Sequence, residues 1–232
     1  MREFAFDRNS QRYRVTSGPE KGQYISSTAV RSLTERYIDQ QKTDISTIAD
    51  KLLQGKISVT TWEETTAKAL KELHINSFVL GRGGTSQMSQ RDYGIIGSEL
   101  RSEYEYLRKF SQDILTGELS EAQIRDRLSL YIDAAYGSYE RGRAESHRQE
   151  GFTWERRHRN SAESCGSCIT YAARGWQPLG SLPHIGTECE CRSRCRCHKE
   201  YAKGRNRPKD SLLTQNWGYI GESFDVFKSS LG

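Results

Sequence analysis

The chain has 232 residues, enough for one large domain or for an ordinary domain with a small satellite. With 34% hydrophobic residues, 28% charged residues and a mean hydropathy of -0.80, it is too polar for one thick core, yet its 10% aromatic content argues against a wholly disordered chain. The net charge of +5 is a mild basic excess, and no stretch approaches the ~20 apolar residues of a bilayer span, which excludes a helical membrane protein. These values predict elongated helices and a modest core; with the residue patterns along the chain, it reads as mainly α, an elongated helical region followed by a small zinc-knuckle α+β module, with extended arms at both ends.

Residues 1–26 are polar, with Gly18-Pro19 and Gly22 as turn signals, and read as an N-terminal arm that packs on something else. The first residues carry acids and no apolar run of the secretory type, so synthesis in a reducing cytoplasm is expected.

Residues 27–150 read as a helical domain. Ser26 or Ser27 is a candidate N-cap, and Val30, Leu33, Tyr37, Ile45, Ile48 and Leu52 follow at helical spacing until Gly55. A second helix starts near Ser58 or Thr60, carries Trp62, Leu70, Leu73 and Phe78, and breaks at Gly81, Gly83 and Gly84. That glycine stretch lacks the Gly-Lys-Ser/Thr ending of a phosphate loop and reads as a plain loop. A third helix over 89–116 repeats Ile96, Leu100, Tyr104, Leu107 and Phe110 in steps of three and four. After Gly117, Ser120 and Gln123 form a capping-box pair, and a single helix from 121 to about 149 carries Ile124, Leu128, Tyr131, Ala135 and Tyr139 on one stripe.

The composition changes at Gly151, where the helical period fades and Cys, Gly and Pro concentrate. Residues 151–210 read as a cysteine-rich zinc-binding module and 211–232, with Trp217, Tyr219, Phe224 and Phe227, as a C-terminal arm. Arg156, Arg157, Arg192, Arg194, Arg196 and Lys199 are candidate contacts for nucleic acid or an acidic partner, with a solvated face as the plain alternative.

The chemistry sits in the cysteines. Cys165 and Cys168 are separated from Cys189, Cys191, Cys195 and Cys197 by a spacer of 20 residues. Two thiolates two residues apart grip an ion from a tight turn, and a distant pair closes the tetrahedron. For one ion the ligands expected are Cys165, Cys168, Cys191 and either Cys195 or Cys197. All six cysteines are candidate ligands, with Cys189 an extra thiol of no obvious separate role, and His184 and His198 are spare candidates; two sites are also open. In a reducing compartment this density points to structural zinc, Zn2+, rather than disulfides. No βαβ pattern surrounds Cys165 and Cys168 to support redox chemistry, and no His-Glu-x-x-His supports hydrolysis. Few apolar residues lie between 160 and 200, and a structural zinc contributes on the order of 10 kcal/mol to ordering such a stretch. Trp154 and Trp176 are expected to pack against the knuckle.

The run Trp154-Glu-Arg-Arg, Cys165-Gly-Ser-Cys168, Gly175-Trp176, Leu182-Pro183, Gly186 and Cys191-Arg-Ser-Arg-Cys195-Arg-Cys197 resembles the C-terminal signature of the phage Mu F-like head morphogenesis proteins, minor head proteins of tailed phages. Upstream, Trp62, His74, Phe110, Gly117, Ser120, Gln123, Tyr131 and Arg141 are similar to that family's helical part, and Tyr13-Arg14, Gly22 and Tyr24-Ile25-Ser26 to a short preceding arm. Many relatives carry a His where this chain has Arg192, so that Cys191 takes that ligand's place. The resemblance implies a virion protein without enzymatic activity. It also implies partners: the portal protein, the major capsid protein or neck proteins, packaged DNA, and further copies of the chain within the virion. A zinc-containing DNA-binding protein is the competing expectation, and an enzyme is disfavoured because Glu163, His158 and His184 form no catalytic pattern.

Overall fold

The computed structural model describes residues 4–7, 9, 10, 12–160 and 163–209. It is mainly helical with two small sheets. Strands β1 (Phe4–Asp7), β2 (Arg12–Val15) and β3 (Tyr24–Ile25) form an antiparallel sheet in that order. Its alternation buries Phe4, Phe6, Tyr13 and Val15, and the Phe6 amide donates to the Gly83 carbonyl at 2.8 Å. The expected extended arm is therefore a sheet seated on the chain's own core. Sequence analysis missed it because these strands are too short to stand out among polar neighbours.

Helix α1 (Ser27–Leu53) is capped by Ser26, whose hydroxyl accepts from the Ala29 amide at 3.1 Å. Helix α2 (Val59–Arg82) starts at Ser58 in the same way, and α3 (Gln90–Leu115) starts at a Ser89–Asp92 capping box. Each buries one stripe: Val30, Ile38 and Ile45; Trp62, Leu70 and Leu73; Leu107 and Phe110. Trp62 meets Phe110 edge-on at 5.2 Å, and Phe110 stacks on Tyr131 at 5.9 Å. Such pairs add to the area they remove from water.

The expected helix from 121 to about 149 is two: α4 (Glu121–Asp133), opened by the Ser120–Gln123 box, and α5 (Ala135–Gln149). At the break the Gly137 amide bonds the Ala134 carbonyl, a tighter turn than the helical one. The apolar stripe runs across it unbroken, since Ile124, Leu128, Tyr131, Ala135 and Tyr139 are all buried, which is why periodicity alone reads one helix.

Helices α2 and α5 cross at van der Waals distance. A Cβ on Gly81 would lie 2.0 Å from the Tyr139 carbonyl oxygen, and one on Gly142 would lie 2.2 Å from that of Phe78. Gly81 thus belongs to α2 rather than to a loop, and serves close packing.

Beyond α5, strand β4 (Trp154–His158) is central to a second antiparallel sheet, flanked by β5 (Gln177–Pro178) and β6 (His198–Ala202). Helix α6 (Gly166–Ala173) lies between β4 and β5 in the chain. This unit is continuous with the helical core, for Cys168, Ile185, Cys189, Cys195 and Cys197 share one buried cluster with Trp62 and Tyr136. The expected C-terminal arm, 211–232, lies outside the described residues. No helix among the described residues is long and apolar enough to cross a membrane.

Candidate metal centre

Each cysteine is held by local backbone chemistry. Cys165 is the N-cap of α6 and Cys168 lies in its first turn; despite burial, the Cys168 and Cys191 amides hold the Cys165 thiol below its ordinary value. Cys189 and Cys191 open successive tight turns: the Arg192 amide bonds the Cys189 carbonyl at 2.9 Å, and the Arg194 amide the Cys191 carbonyl at 3.0 Å. Cys195 closes the 3₁₀ turn Arg192–Arg194, and Cys197 directly precedes β6. The two halves are tied by Glu190, whose carboxylate accepts from the Ser167 amide at 3.2 Å and its hydroxyl at 2.8 Å. Arg192 takes a left-handed φ of 43° between these cysteines, a conformation that costs about 1–3 kcal/mol in a non-glycine residue.

Cys168, Cys189, Cys191 and Cys195 bring their sulfurs within 4.8 Å of one another, so these four can hold a metal ion. Sulfur separations are 3.7 Å for Cys168–Cys191 and for Cys168–Cys195, and 3.6 Å for Cys189–Cys191. A tetrahedron with zinc–sulfur bonds of about 2.3 Å has edges of about 3.8 Å, so the donor set fits that ion. Cys189, which sequence analysis leaves without a role, is in this quartet. Cys165, expected as a ligand, sits beside it at 3.4 Å from Cys191, and Cys197 hydrogen-bonds Cys195.

Without a cation the sulfurs divide their protons unequally. A hydrogen bond from Cys197 brings Cys195 down to about 4 despite its burial, and the same bond pushes Cys197 up. Burial, followed by the charge on Cys195, pushes Cys168 up to about 12. Crowded thiols cannot all ionise together, because like charges repel at this range. A divalent cation removes that conflict, and the Arg157 guanidinium, 3.7 Å from the Cys168 sulfur, adds positive charge from beneath.

The histidines stand apart. His198 Nδ1 bonds Asn160 Oδ1 at 2.7 Å and its ring stacks on His158 at 5.3 Å, while His184 is outside the sulfur group. The tryptophans also depart from expectation. Trp154 donates to the Gly204 carbonyl and Trp176 lies under Arg156, while Ile185 belongs to the buried cluster that includes the cysteines and Tyr171 packs against that cluster.

Most of the expected nucleic-acid contacts are engaged inside the protein. Lys199 is buried, bonding Glu155 at 3.0 Å and the Leu182 carbonyl at 2.7 Å. Arg157 is buried and donates to the Pro183 carbonyl, and Arg156 pairs with Glu200 at 2.8 Å. Arg196 reaches Asp133 at 2.7 Å and the more exposed Arg194 reaches Asp126 at 2.6 Å, both clamping the cysteine turns onto α4. Arg192 is exposed. Asp133 also meets Lys42 of α1 at 3.4 Å, so one carboxylate joins α1, α4 and the cysteine turns. Sequence analysis missed Asp126, Asp133 and Glu155. A signal for Glu155 exists in β4, where Trp154, Arg156 and His158 alternate with Glu155 and Arg157 and leave the second pair to share the buried face.

Comparison with family models, with curated proteins and with solved structures returns no match to this chain.

Proposed function

We propose that this protein is a non-enzymatic minor head protein of a tailed phage, acting in head morphogenesis at the portal vertex, in the capsid interior or at the head–neck junction. The observation that supports the reading is that Cys168, Cys191 and Cys195, three cysteines of the signature the resemblance rests on, gather in the sulfur quartet, and that the turns bearing them are clamped onto a helical body. In this reading the cysteine-bearing unit is a knuckle organised by structural zinc. It presents a fixed surface to the portal, capsid or neck proteins, and copies of the chain assemble in the virion.

Support for the competing reading, a zinc-containing DNA-binding protein, is weakened by the internal pairing of Arg156, Arg157, Arg196 and Lys199. A DNA-reading surface keeps its cations free for phosphate. The test is to express the tagged chain with candidate portal, capsid and neck proteins and sediment the assembled heads. Co-sedimentation that survives ~0.5 M salt, where phosphate contacts are lost, supports the assembly role. A chain that never sediments with heads, yet binds duplex DNA in a salt-dependent way, overturns it in favour of the DNA-binding reading.

A further inference from the structure

Four sulfurs complete a tetrahedral ion, and Cys165 stands outside that quartet while touching it. Its thiol donates to the Cys191 sulfur at 3.4 Å, nearer than the 3.6 Å of Cys189–Cys191 or the 3.7 Å of Cys168–Cys191 and Cys168–Cys195. A disulfide has a bond of about 2.05 Å, so a closure of about 1.4 Å separates this contact from a covalent one.

Access to solvent singles out the same pair. Cys168, Cys189, Cys195 and Cys197 are buried, whereas Cys165 and Cys191 are the two cysteines that reach partway to water. Cys165 caps the start of α6, and Cys191 opens a tight turn 26 residues later, so a bond between them joins the same two segments that the quartet draws together. Cys165 lies outside the four sulfurs that would share their electrons with a cation, which leaves it the sulfur that an oxidant arriving from solvent meets unprotected.

We propose that Cys165 and Cys191 form a peroxide-responsive pair: a hydroperoxide oxidises Cys165, and the disulfide that follows takes Cys191 out of the quartet and releases the ion. The Cys165 sulfur attacks one peroxide oxygen, the O–O bond breaks, and the thiol proton goes to the departing oxygen. The products are a sulfenic acid and an alcohol, or water where the oxidant is hydrogen peroxide. The Cys191 thiolate then attacks the sulfenic sulfur and expels hydroxide, which takes a proton from solvent. Two electrons pass from the two sulfurs to the peroxide, and a thiol reductant reverses the bond. Cys168, Cys189 and Cys195 remain, one sulfur short of the tetrahedron. Release of the ion rests on the zinc reading of the quartet; the pairing of the two cysteines does not.

The test uses the full chain, purified reduced and without chelator, in which about one zinc per chain is expected. A stoichiometric dose of hydrogen peroxide should release that zinc to a colorimetric indicator. Non-reducing peptide mapping with fragmentation should place the new linkage between Cys165 and Cys191. A thiol reductant with added zinc should restore the content. Cys165→Ser is expected to keep its zinc and, at the same dose, to release it about tenfold more slowly. If that variant fails to fold, the linkage map of the wild-type chain, taken with its zinc release, decides. A Cys165→Ser chain that folds without zinc, or that loses zinc as fast as the wild type, overturns the proposal. So does a linkage at any other pair, or a Cys165–Cys191 bond formed with the zinc retained. No zinc in the reduced protein overturns the zinc reading, and the linkage map then settles the cysteine pair by itself.

Discussion

Across α1 to α4 the buried side chains are mostly apolar, with Trp62, Leu70, Phe110 and Ile132 at their centre. From β4 onward most buried positions go to Glu155, Arg157, Lys199 and to sulfur, with Trp176, Leu182 and Ile185 the buried apolar side chains among the described residues. The first region is stabilised by removing hydrocarbon from water, which is non-directional and tolerant of local change. The second places charges where water cannot reach them, which costs several kcal/mol per ion unless every partner is in position. The contrast teaches that this chain closes its C-terminal unit largely by directional contacts, and that four of its sulfurs gather where a metal ion can be held.

The sharpest way to break the comparison is to strip the metal. Zinc chelation under reducing conditions is expected to withdraw on the order of 10 kcal/mol from the cysteine-bearing unit. Hydrogen exchange should then show lost protection across 163–202 while α2 keeps its own. If α2 loses protection in step, the two regions are one cooperative unit.

Next come equal losses with different remedies. Trp62→Ala empties a fully buried site and is expected to cost about 3–5 kcal/mol in chemical denaturation. Lys199→Met leaves Glu155 buried and unpaired, and a similar loss of about 3–5 kcal/mol is expected. Adding Glu155→Leu should restore most of the second loss. A double variant no better than Lys199→Met would show that the pair does not act as a unit.

Acid sharpens the picture of the helical body. Burial brings His74 down to about 4, so the folded state holds it neutral while the unfolded chain takes up its proton near 6.5. The stability this provides is whole above about pH 6.5 and drains away as the pH falls to about 4. The loss amounts to about 3 kcal/mol at about 1.4 kcal/mol per pH unit. Denaturation at stepped pH checks it: His74→Gln should remove about 3 kcal/mol of that limb, leaving the part owed to His147 and His184, which burial also brings down, to about 3 and about 4.

Smaller effects follow. Gly142→Ala forces α2 and α5 apart, and a loss of about 1–3 kcal/mol is expected, read as a fall in Tm. Arg194→Ala removes an ion pair exposed on both sides and should cost about 0.2–1 kcal/mol. A larger loss there would mean that the cysteine turns need Asp126 to stay docked.

Helix starts were legible in the sequence because capping is local: Ser58, Ser89 and Ser120 sit three residues before the amides they accept from. The break at Ala134 was not, since no proline or side-chain cap marks it, the nearby Gly137 lies inside α5, and the stripe of buried residues continues. Cysteine spacing disclosed the six candidate ligands, Cys189 among them, but not which four draw together, because the order of sulfurs in space depends on tight turns that spacing does not encode. The internal use of Lys199 and Arg157 was hidden for a related reason. A basic residue on a strand reads as solvated until its carboxylate or carbonyl partner, distant in sequence, is brought against it.

The pairing of β4 with β6 bears on how the molecule carries mechanical load. Trp154 faces Ala202 and His158 faces His198, so the chain arriving from α5 and the chain leaving after β6 sit at the same end of the ladder. A pull between the helical body and the C-terminal tail therefore loads the strands as a zipper, one hydrogen-bonded pair at a time, which offers little resistance. The peeling front travels from Ala202 to His198 and meets Cys197 next. With an ion held by the sulfurs, the tension would pass there from backbone hydrogen bonds to metal–thiolate bonds and through Cys168 into α6, a mechanical stop five residues into the unzipping of β6.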